Sequence, residues 1–481
     1  MNILQAIADP NLFAAWFKDH ETWAAWRVFL AALFGLRVED EALYAACTGG
    51  RPLPEQQARE ACLIVGRRGG KSFVCALIGV YLAAFRVYPL TPGERGIVML
   101  LAADRRQARV LFRYVKAFIE GVAMLRQMVE NITADAIELN NQITIEIHTA
   151  SFRSVRGYTV VAALCDEIAF WRSEDSANPD TEILAALRPA MATIPDALIL
   201  CFSTPYARRG VLWNAYRQHF GKGGDVLVWQ APTRAMNPTV LQGIIDGAFE
   251  EDPIAAAAEY GAEFRSDVES YITQEAVDAC IVPGRFELPP VAGTQYIAFA
   301  DPSGGSQDSM TLAVGHAESE HAVLDLVRER KPPFSPEAVV KEFAEDLKTY
   351  GISEVIGDRY GGEWPRERFL THGIQYRIAD KTKSEIYQAA LPMLNSGRVE
   401  LLDNKTLRTQ LVGLERRTAR GGKDSIDHRP GGRDDVVNAA AGVLISCAFS
   451  VPITPDAFAQ GVIKFGRPGN QEHQTLWGQL Q

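Results

Sequence analysis

The sequence predicts an α/β protein of two domains, the first with a mostly parallel sheet. Strand-like apolar runs alternate with helical stretches up to about residue 265, a pattern typical of parallel sheets. A stretch with several prolines at 266–293 interrupts this pattern, and a new series of strands and helices follows it. The 481 residues are also too many for one ordinary hydrophobic core.

Composition and charge limit the classes of protein to consider. Hydrophobic residues make up 47% of the chain and charged residues 22%, which is ordinary for a globular protein. The net charge is −10, so any DNA must be bound by local basic patches. The seven cysteines include no C-x-x-C pair, which indicates buried thiols. We expect no signal peptide and no membrane-spanning helix, because charges interrupt the N-terminal segment and no apolar run approaches about 18 residues.

A glycine-rich loop between a strand-like run at 62–65 and a helical run at 73–78 is the most informative motif. The loop consists of Gly66, Arg67, Arg68, Gly69, Gly70, Lys71 and Ser72. In a phosphate-binding loop, the backbone N–H groups face phosphate, Lys71 neutralises the β- and γ-phosphates, and Ser72 ligates Mg²⁺. Val65 stands at the first glycine position of the usual pattern, so a solvated glycine turn is the alternative.

Two later strands end in polar residues that suit the same site. The first runs into Asp166 and Glu167; Asp166 would hold Mg²⁺, directly or through water, and Glu167 would polarise the attacking water. The second ends in Ser203 and Thr204, followed by Pro205, and these hydroxyls could sense the γ-phosphate. Ordinary polar turns after strands are the alternative for both.

Four acids lie at the ends of elements in the second half. Asp301 and Asp358 follow strand-like runs, and Asp434 and Asp435 open the last helix. We expect the first and fourth strands of this half to be neighbours, which brings Asp301 and Asp358 together. Oxygen ligands suit Mg²⁺ or Mn²⁺, and two such ions can promote phosphodiester hydrolysis. Turn or cap roles are the alternative for each acid taken alone.

In this order, the four motifs resemble those of the large terminase subunit of tailed double-stranded DNA bacteriophages, over roughly residues 15–450. The resemblance implies an ASCE-type P-loop ATPase domain at 1–265 and a linker at 266–293. It also implies an RNase H-like nuclease domain at 294–450. The prolines and the polar run after residue 450 predict an extended or disordered tail at 451–481. Which of Asp434 and Asp435 is a ligand stays open, with Asp434 favoured.

The same resemblance implies a DNA-packaging motor that uses ATP with Mg²⁺ and a nuclease that uses two Mg²⁺ or Mn²⁺ ions. Arg67 would contact the γ-phosphate, Ser203 and Thr204 would couple hydrolysis to movement, and His428 would be an accessory metal or phosphate contact or an exposed loop residue. The implied partners are double-stranded DNA, the portal protein, the small terminase subunit and further copies in a ring, with a monomer in solution left open. The implied location is the host cytoplasm and, transiently, the portal vertex of the procapsid.

Two other functions compete with this one. A helicase or repair ATPase fused to a nuclease would need a second RecA-like domain between Ser203 and Asp301, where the residues are too few. A non-enzymatic DNA-binding or scaffolding protein would not need the acids and lysine that the motifs retain.

Two residue patterns in the first half of the chain have two interpretations each. The aromatic stripe within 11–46 is core or stacks on a nucleotide base, and the arginines at 105, 106, 109 and 113 form a solvated face or track DNA.

Overall fold

The computed structural model describes residues 1–150, 155, 157–171, 176, 178–358, 363–418, 424–429 and 431–450. The predicted tail at 451–481 lies outside the described residues. The chain divides into two compact units. The first comprises Met1–Ala279, Lys383–Leu391 and Asn404–Val437, and the second comprises Cys280–Thr382, Pro392–Asp403 and the chain from Asn438.

The strands are numbered in chain order. They are β1 (Glu60–Val65), β2 (Gly96–Ala102), β3 (Val129–Ile132), β4 (Ala136–Leu139), β5 (Ile143–Thr149), β6 (Thr159–Asp166), β7 (Leu198–Ser203), β8 (Val226–Ala231), β9 (Val268–Ser270), β10 (Tyr296–Asp301), β11 (Met310–Glu318), β12 (His321–Arg330), β13 (Glu354–Gly357), β14 (Gln375–Ile378), β15 (Val399–Glu400), β16 (Leu414–Thr418) and β17 (Asp424–His428).

The helices follow the same order. They are α1 (Ile3–Ala8), α2 (Ala24–Leu33), α3 (Glu41–Thr48), α4 (Lys71–Phe85), α5 (Arg105–Gly121), α6 (Ala123–Met128), α7 (Pro179–Ala190), α8 (Gly210–His219), α9 (Thr233–Met236), α10 (Gln242–Glu251), α11 (Pro253–Glu259), α12 (Gln274–Cys280), α13 (Pro336–Thr349), α14 (Trp364–Thr371), α15 (Lys383–Asn395), α16 (Lys405–Gly413) and α17 (Asp435–Ser450).

The main sheet of the first unit has eight strands in the order β3-β4-β5-β2-β6-β7-β1-β8. The six neighbouring strands β5-β2-β6-β7-β1-β8 are all parallel to one another, whereas β3 and β4 add two antiparallel pairs at the edge beside β5. Strands β2 and β7 are buried along their whole length, as expected for apolar strands covered on both faces. One strand, β7, lies between β1 and β6. This is the ASCE arrangement of a P-loop fold, so the predicted fold class of the first half is confirmed.

The main sheet of the second unit has six strands in the order β14-β13-β10-β11-β12-β15. An antiparallel meander, β10-β11-β12, is extended by the parallel strands β13 and β14. The core on this sheet includes Val340, Phe343 and Leu347 of α13, which recur at helical spacing. The expected pairing of the first strand with the fourth is confirmed by β10 and β13. The order is that of RNase H-like folds.

A small antiparallel sheet, β17-β16-β9, belongs to the first unit. The sequence 418–433 contains several glycines and would be expected to form a loop, but Asp424–His428 forms β17. Ile426 is buried in that strand, and Arg416 on β16 pairs with Asp424. The predicted linker 266–293 contains β9 and α12. The predicted domain boundaries stay a prediction.

Burial in the described residues confirms one prediction and decides between two interpretations. All seven cysteines are buried and free of disulfides, and the aromatic stripe near the N-terminus is core, with Trp26 and Phe29 at most 1% exposed. No described helix is both long enough and apolar enough to cross a membrane.

Candidate nucleotide site and acid site

The glycine-rich loop lies at the carboxyl end of β1 and leads directly into α4. Gly70 has a φ of 98°, which is a left-handed conformation that glycine adopts without strain. Gly66 has no room for a side chain, because an added Cβ would fall 2.3 Å from Thr233 Oγ1. The helix presents its N-terminal N–H groups and partial positive charge to this loop, as anion binding requires.

Three side chains outside the loop hold its backbone in place. The indole of Trp26 donates to the Gly69 carbonyl at 3.1 Å, and Thr233 Oγ1 donates to the Arg67 carbonyl at 2.8 Å. Asn237 Nδ2 donates to the Arg68 carbonyl at 2.8 Å. Each bond joins residues far apart in sequence, so sequence patterns give no sign of them. Together they fix the loop shape through its carbonyl groups.

Lys71 lies at the centre of this site and is only 6% exposed. Its Nζ donates to the Val65 carbonyl at 2.9 Å and to Thr204 Oγ1 at 3.0 Å, and it lies 3.7 Å from Glu167 Oε1. The structure therefore brings together the lysine of the loop, the acid after β6 and the hydroxyl after β7, which belong to three separate sequence motifs.

Glu167 is fixed by the residues at the end of β7. Its Oε2 accepts from Ser203 Oγ at 2.9 Å and from the Thr204 backbone N–H at 3.2 Å. Its own backbone has a φ of 47°, an uncommon conformation for a residue other than glycine. Strained backbone of this kind is concentrated at functional sites.

Asp166, the last residue of β6, is 3% exposed, and its Oδ1 has no hydrogen-bond partner among the described residues. Burial, and then the neighbouring Glu167 charge, raise the pKa of Asp166 to about 7. A buried carboxylate oxygen without a donor is costly to ionise unless a cation is near. Asp166 and the half-buried Ser72 therefore fit the Mg²⁺ that accompanies a nucleotide.

The two arginines of the loop point to solvent. Arg67 is 67% exposed and pairs with Glu259 at 3.3 Å, while Arg68 is exposed with a φ of 65°. The predicted contact of Arg67 with a γ-phosphate stays a prediction. On α5, Arg105 and Arg109 are also exposed and share Asp135 as a partner.

The acid pair of the second unit, Asp301 and Asp358, lies at the adjacent ends of β10 and β13. One side chain joins them: Asn438 Nδ2 donates to Asp301 Oδ2 at 2.9 Å and to Asp358 Oδ2 at 3.3 Å. Burial, and then the charges of these two acids, raise the pKa of Tyr376, whose hydroxyl donates to the Asp358 carbonyl at 2.7 Å. The paired carboxylates and the buried amide oxygen beside them are a donor set that fits Mg²⁺ or Mn²⁺.

Asp434 belongs to the first unit and has a basic partner that sequence patterns did not reveal. It is 5% exposed and accepts from the Tyr387 hydroxyl at 2.9 Å. The Lys383 ammonium lies 3.0 Å from Asp434 and 2.8 Å from Asp427. Burial alone would lower the pKa of Lys383, but the charges of these two acids and their hydrogen bonds raise it. An ammonium held this closely already neutralises part of the acidic charge.

His428 and Asp435 stand beside this group. His428 is on β17, half-buried rather than in an exposed loop, and its ring lies with Asp427 and Asp434 in an arrangement whose ligand atoms are within 4.8 Å of one another. Asp435 is the first residue of α17 and is half-buried. The roles of Asp434, Asp435 and His428 as metal or phosphate contacts stay predictions.

The fold and the two sites define a chain that carries an ASCE-type P-loop fold and an RNase H-like fold. No protein-family model and no curated protein matches it. Among solved structures, the HK97 bacteriophage large terminase is similar, with 16% identity over 81% of this chain and 91% of that chain, at a TM-score of 0.38.

Two further structures show the same range of similarity. The large terminase nuclease from thermophilic phage G20c has 18% identity over 36% of this chain and 95% of that chain, at a TM-score of 0.32. A large terminase from another thermophilic bacteriophage, in complex with ADP, has 11% identity over 82% of this chain and 95% of that chain, at a TM-score of 0.35. At these identities and TM-scores, function has to be argued from the sites themselves.

Proposed function

We propose that this chain is the large terminase subunit of a tailed double-stranded DNA virus. It hydrolyses ATP to drive DNA through a portal into a procapsid, and it cuts concatemeric DNA. The observation that carries the proposal is the convergence of Lys71, Glu167, Ser203 and Thr204 at one site, in a chain that also holds an acid pair on an RNase H-like sheet.

In the ATPase, each residue of the first site has a distinct task. Lys71 binds the β- and γ-phosphates, Ser72 and Asp166 hold the Mg²⁺ that arrives with ATP, and Glu167 orients and deprotonates the attacking water. Glu167 accepts a hydrogen bond from Ser203 and one from the Thr204 backbone. When the γ-phosphate leaves, Glu167 loses a neighbour and its hydrogen bonds with Ser203 and Thr204 can change. This change at the end of β7 is how hydrolysis would be coupled to movement of DNA.

In the nuclease, Asp301 and Asp358 hold the divalent cations, with Asp434 or Asp435 as the predicted third carboxylate. When bound, two Mg²⁺ or Mn²⁺ ions supply activation of water and neutralisation of the leaving oxygen. The strand ends fix the two acids on rigid backbone, which a catalytic site needs. Double-stranded DNA, the portal protein, the small terminase subunit and further copies of this chain are the proposed partners.

The helicase alternative finds no support in the described residues. The structure describes every residue between Thr204 and Tyr296. This part of the chain forms β8, β9 and five helices rather than a second parallel sheet. A second RecA-like domain therefore has no place in this part of the chain.

The proposal is tested with the purified full chain in two assays run side by side. We expect ATP hydrolysis that linear double-stranded DNA stimulates, and plasmid cleavage that requires Mg²⁺ or Mn²⁺. Lys71→Ala should abolish only the first activity, and Asp358→Asn should suppress only the second. A chain with neither activity would contradict the proposal in favour of a non-enzymatic role, and strand separation driven by ATP would favour a helicase.

A further inference from the structure

Asn438 lies in the part of α17 that packs closely against the sheet of the second unit. One turn further along, an added Cβ on Gly442 would fall 2.4 Å from the Phe299 ring, and one on Gly315 would fall 2.5 Å from Val443. This close packing leaves Asn438 only 1% exposed. Its amide is therefore held against the acid pair.

The amide makes contact with the acids through one end only. Nδ2 reaches both Asp301 and Asp358, whereas Oδ1 is buried with no hydrogen-bond partner among the described residues. Buried side-chain oxygens without a partner are rare and call for an explanation. The two ends of an amide are nearly the same size, so a half-turn of the group exchanges them within the same space.

We infer that Asn438 is a metal ligand of the acid site, whose amide presents NH₂ to the acid pair without a cation and Oδ1 to the cation when one binds. The half-turn loses only the two bonds to Asp301 and Asp358, because Oδ1 has no bond to give up. It places three oxygens around one point, which would repel one another without a cation and which suits Mg²⁺ or Mn²⁺ with one. This inference rests on the proposed nuclease function and adds a ligand that no sequence motif marked.

The neutral amide also explains how the acid pair is accommodated without metal. Its NH₂ group donates to both carboxylates, which would otherwise repel each other at close range. An aspartate at this position would add a third negative charge within hydrogen-bond distance of the other two. Asn438→Asp should therefore bind a cation more tightly while lowering the stability of the metal-free protein.

The test is a titration of the nucleotide-free full chain with Mn²⁺, followed by electron paramagnetic resonance of the free ion. The Mn²⁺ binding that wild type shows and Asp358→Asn lacks is assigned to the acid site. We expect Asn438→Ala to weaken that binding roughly tenfold or more, a range typical of residues that support a metal, and Asn438→Asp to tighten it. In thermal unfolding, Asn438→Asp should show a lower midpoint than wild type without metal and a larger rise on adding Mn²⁺.

Asp325→Asn is the matched control, because Asp325 is a 1% exposed carboxylate of the same unit that is paired with His316. It should leave Mn²⁺ affinity unchanged. If Asn438→Ala and Asn438→Asp both bind Mn²⁺ as wild type does, the inference is overturned while the nuclease proposal stands. If wild type itself shows no Mn²⁺ binding that Asp358→Asn removes, both are overturned. Should Asn438→Ala fail to fold, equal affinity in Asn438→Asp and wild type would still overturn the inference.

Discussion

Glu167 combines an uncommon backbone conformation with a charged contact to Lys71 in the candidate nucleotide site. A non-glycine residue in the left-handed region costs about 1–3 kcal/mol, and here that backbone directs a carboxylate towards Lys71, Ser203 and Thr204. An acid placed only for stability would not need such a conformation. The geometry therefore suits an acid that has to change partners during a cycle.

Replacing Glu167 with glutamine should separate binding from hydrolysis. The amide keeps the size of the side chain and can still accept from Ser203, but it cannot take a proton from water. We expect ATP binding to persist and the hydrolysis rate to fall by roughly a hundredfold or more, measured as phosphate release and nucleotide affinity. Glu130→Gln, on the exposed strand β3, is the control. Near wild-type hydrolysis by Glu167→Gln would show that another group is the base.

Asp166 should give the nucleotide-free protein a dependence of stability on pH. Folding raises the pKa of Asp166 from 3.8 to about 7. The contribution of the protonated side chain to folding stability is therefore fully present below pH 3.8, and it is lost as pH rises through about 7. Asp166→Asn should remove this loss, on the order of 4 kcal/mol by alkaline pH, while abolishing ATP hydrolysis. The measurement is the thermal midpoint across pH in chelator. Identical pH slopes in wild type and variant would contradict the assignment.

The strand β16 carries the most deeply buried charge of the first unit's small sheet. Glu415 has no exposed surface, and it pairs with Arg209, accepts from the Tyr206 hydroxyl at 2.8 Å and lies 3.2 Å from Arg417. Tyr206 comes directly after the Ser203-Thr204-Pro205 segment. The small sheet is thus tied to the end of β7 by a buried carboxylate.

Loss of this carboxylate should destabilise the first unit strongly. Glu415→Leu leaves Arg209 without its buried partner, and breaking such a pair costs about 3–5 kcal/mol. The neighbouring Arg416 pairs with Asp424 on the more exposed side of the strand, so Arg416→Leu should cost no more than about 1 kcal/mol. Chemical unfolding of both variants measures the difference. An equal cost for the two would mean that the Glu415 network contributes little.

Local motifs were predicted well from the sequence because each depends on contiguous residues. The glycine loop, the acids at the ends of β6, β10 and β13, and the order of strands and helices all belong to this kind. Asn438 was missed because a single asparagine in an apolar helix carries no local signal. The Lys383 partner of Asp434 was missed for the same reason, since 51 residues separate the two.

At the scale of the whole molecule, the chain passes between its two units more than once. Residues Lys383–Leu391 and Asn404–Val437 belong to the first unit although they follow most of the second. The pairing of β9 with β16 is one cause, because it joins residues near 269 to residues near 416. Composition and proline content mark a change of pattern along the sequence, but they carry no information about such long-range pairing.

The central claim is that one chain holds a DNA-packaging motor and a separable nuclease. The most direct measurement mixes the purified chain with ATP, linear double-stranded DNA and procapsids that carry their portal, and counts the DNA protected from added nuclease. We predict that wild type and Asp358→Asn both protect DNA, whereas Lys71→Ala protects none and still cuts plasmid. Protection by Lys71→Ala, or its absence with Asp358→Asn despite normal ATP hydrolysis, would contradict the account.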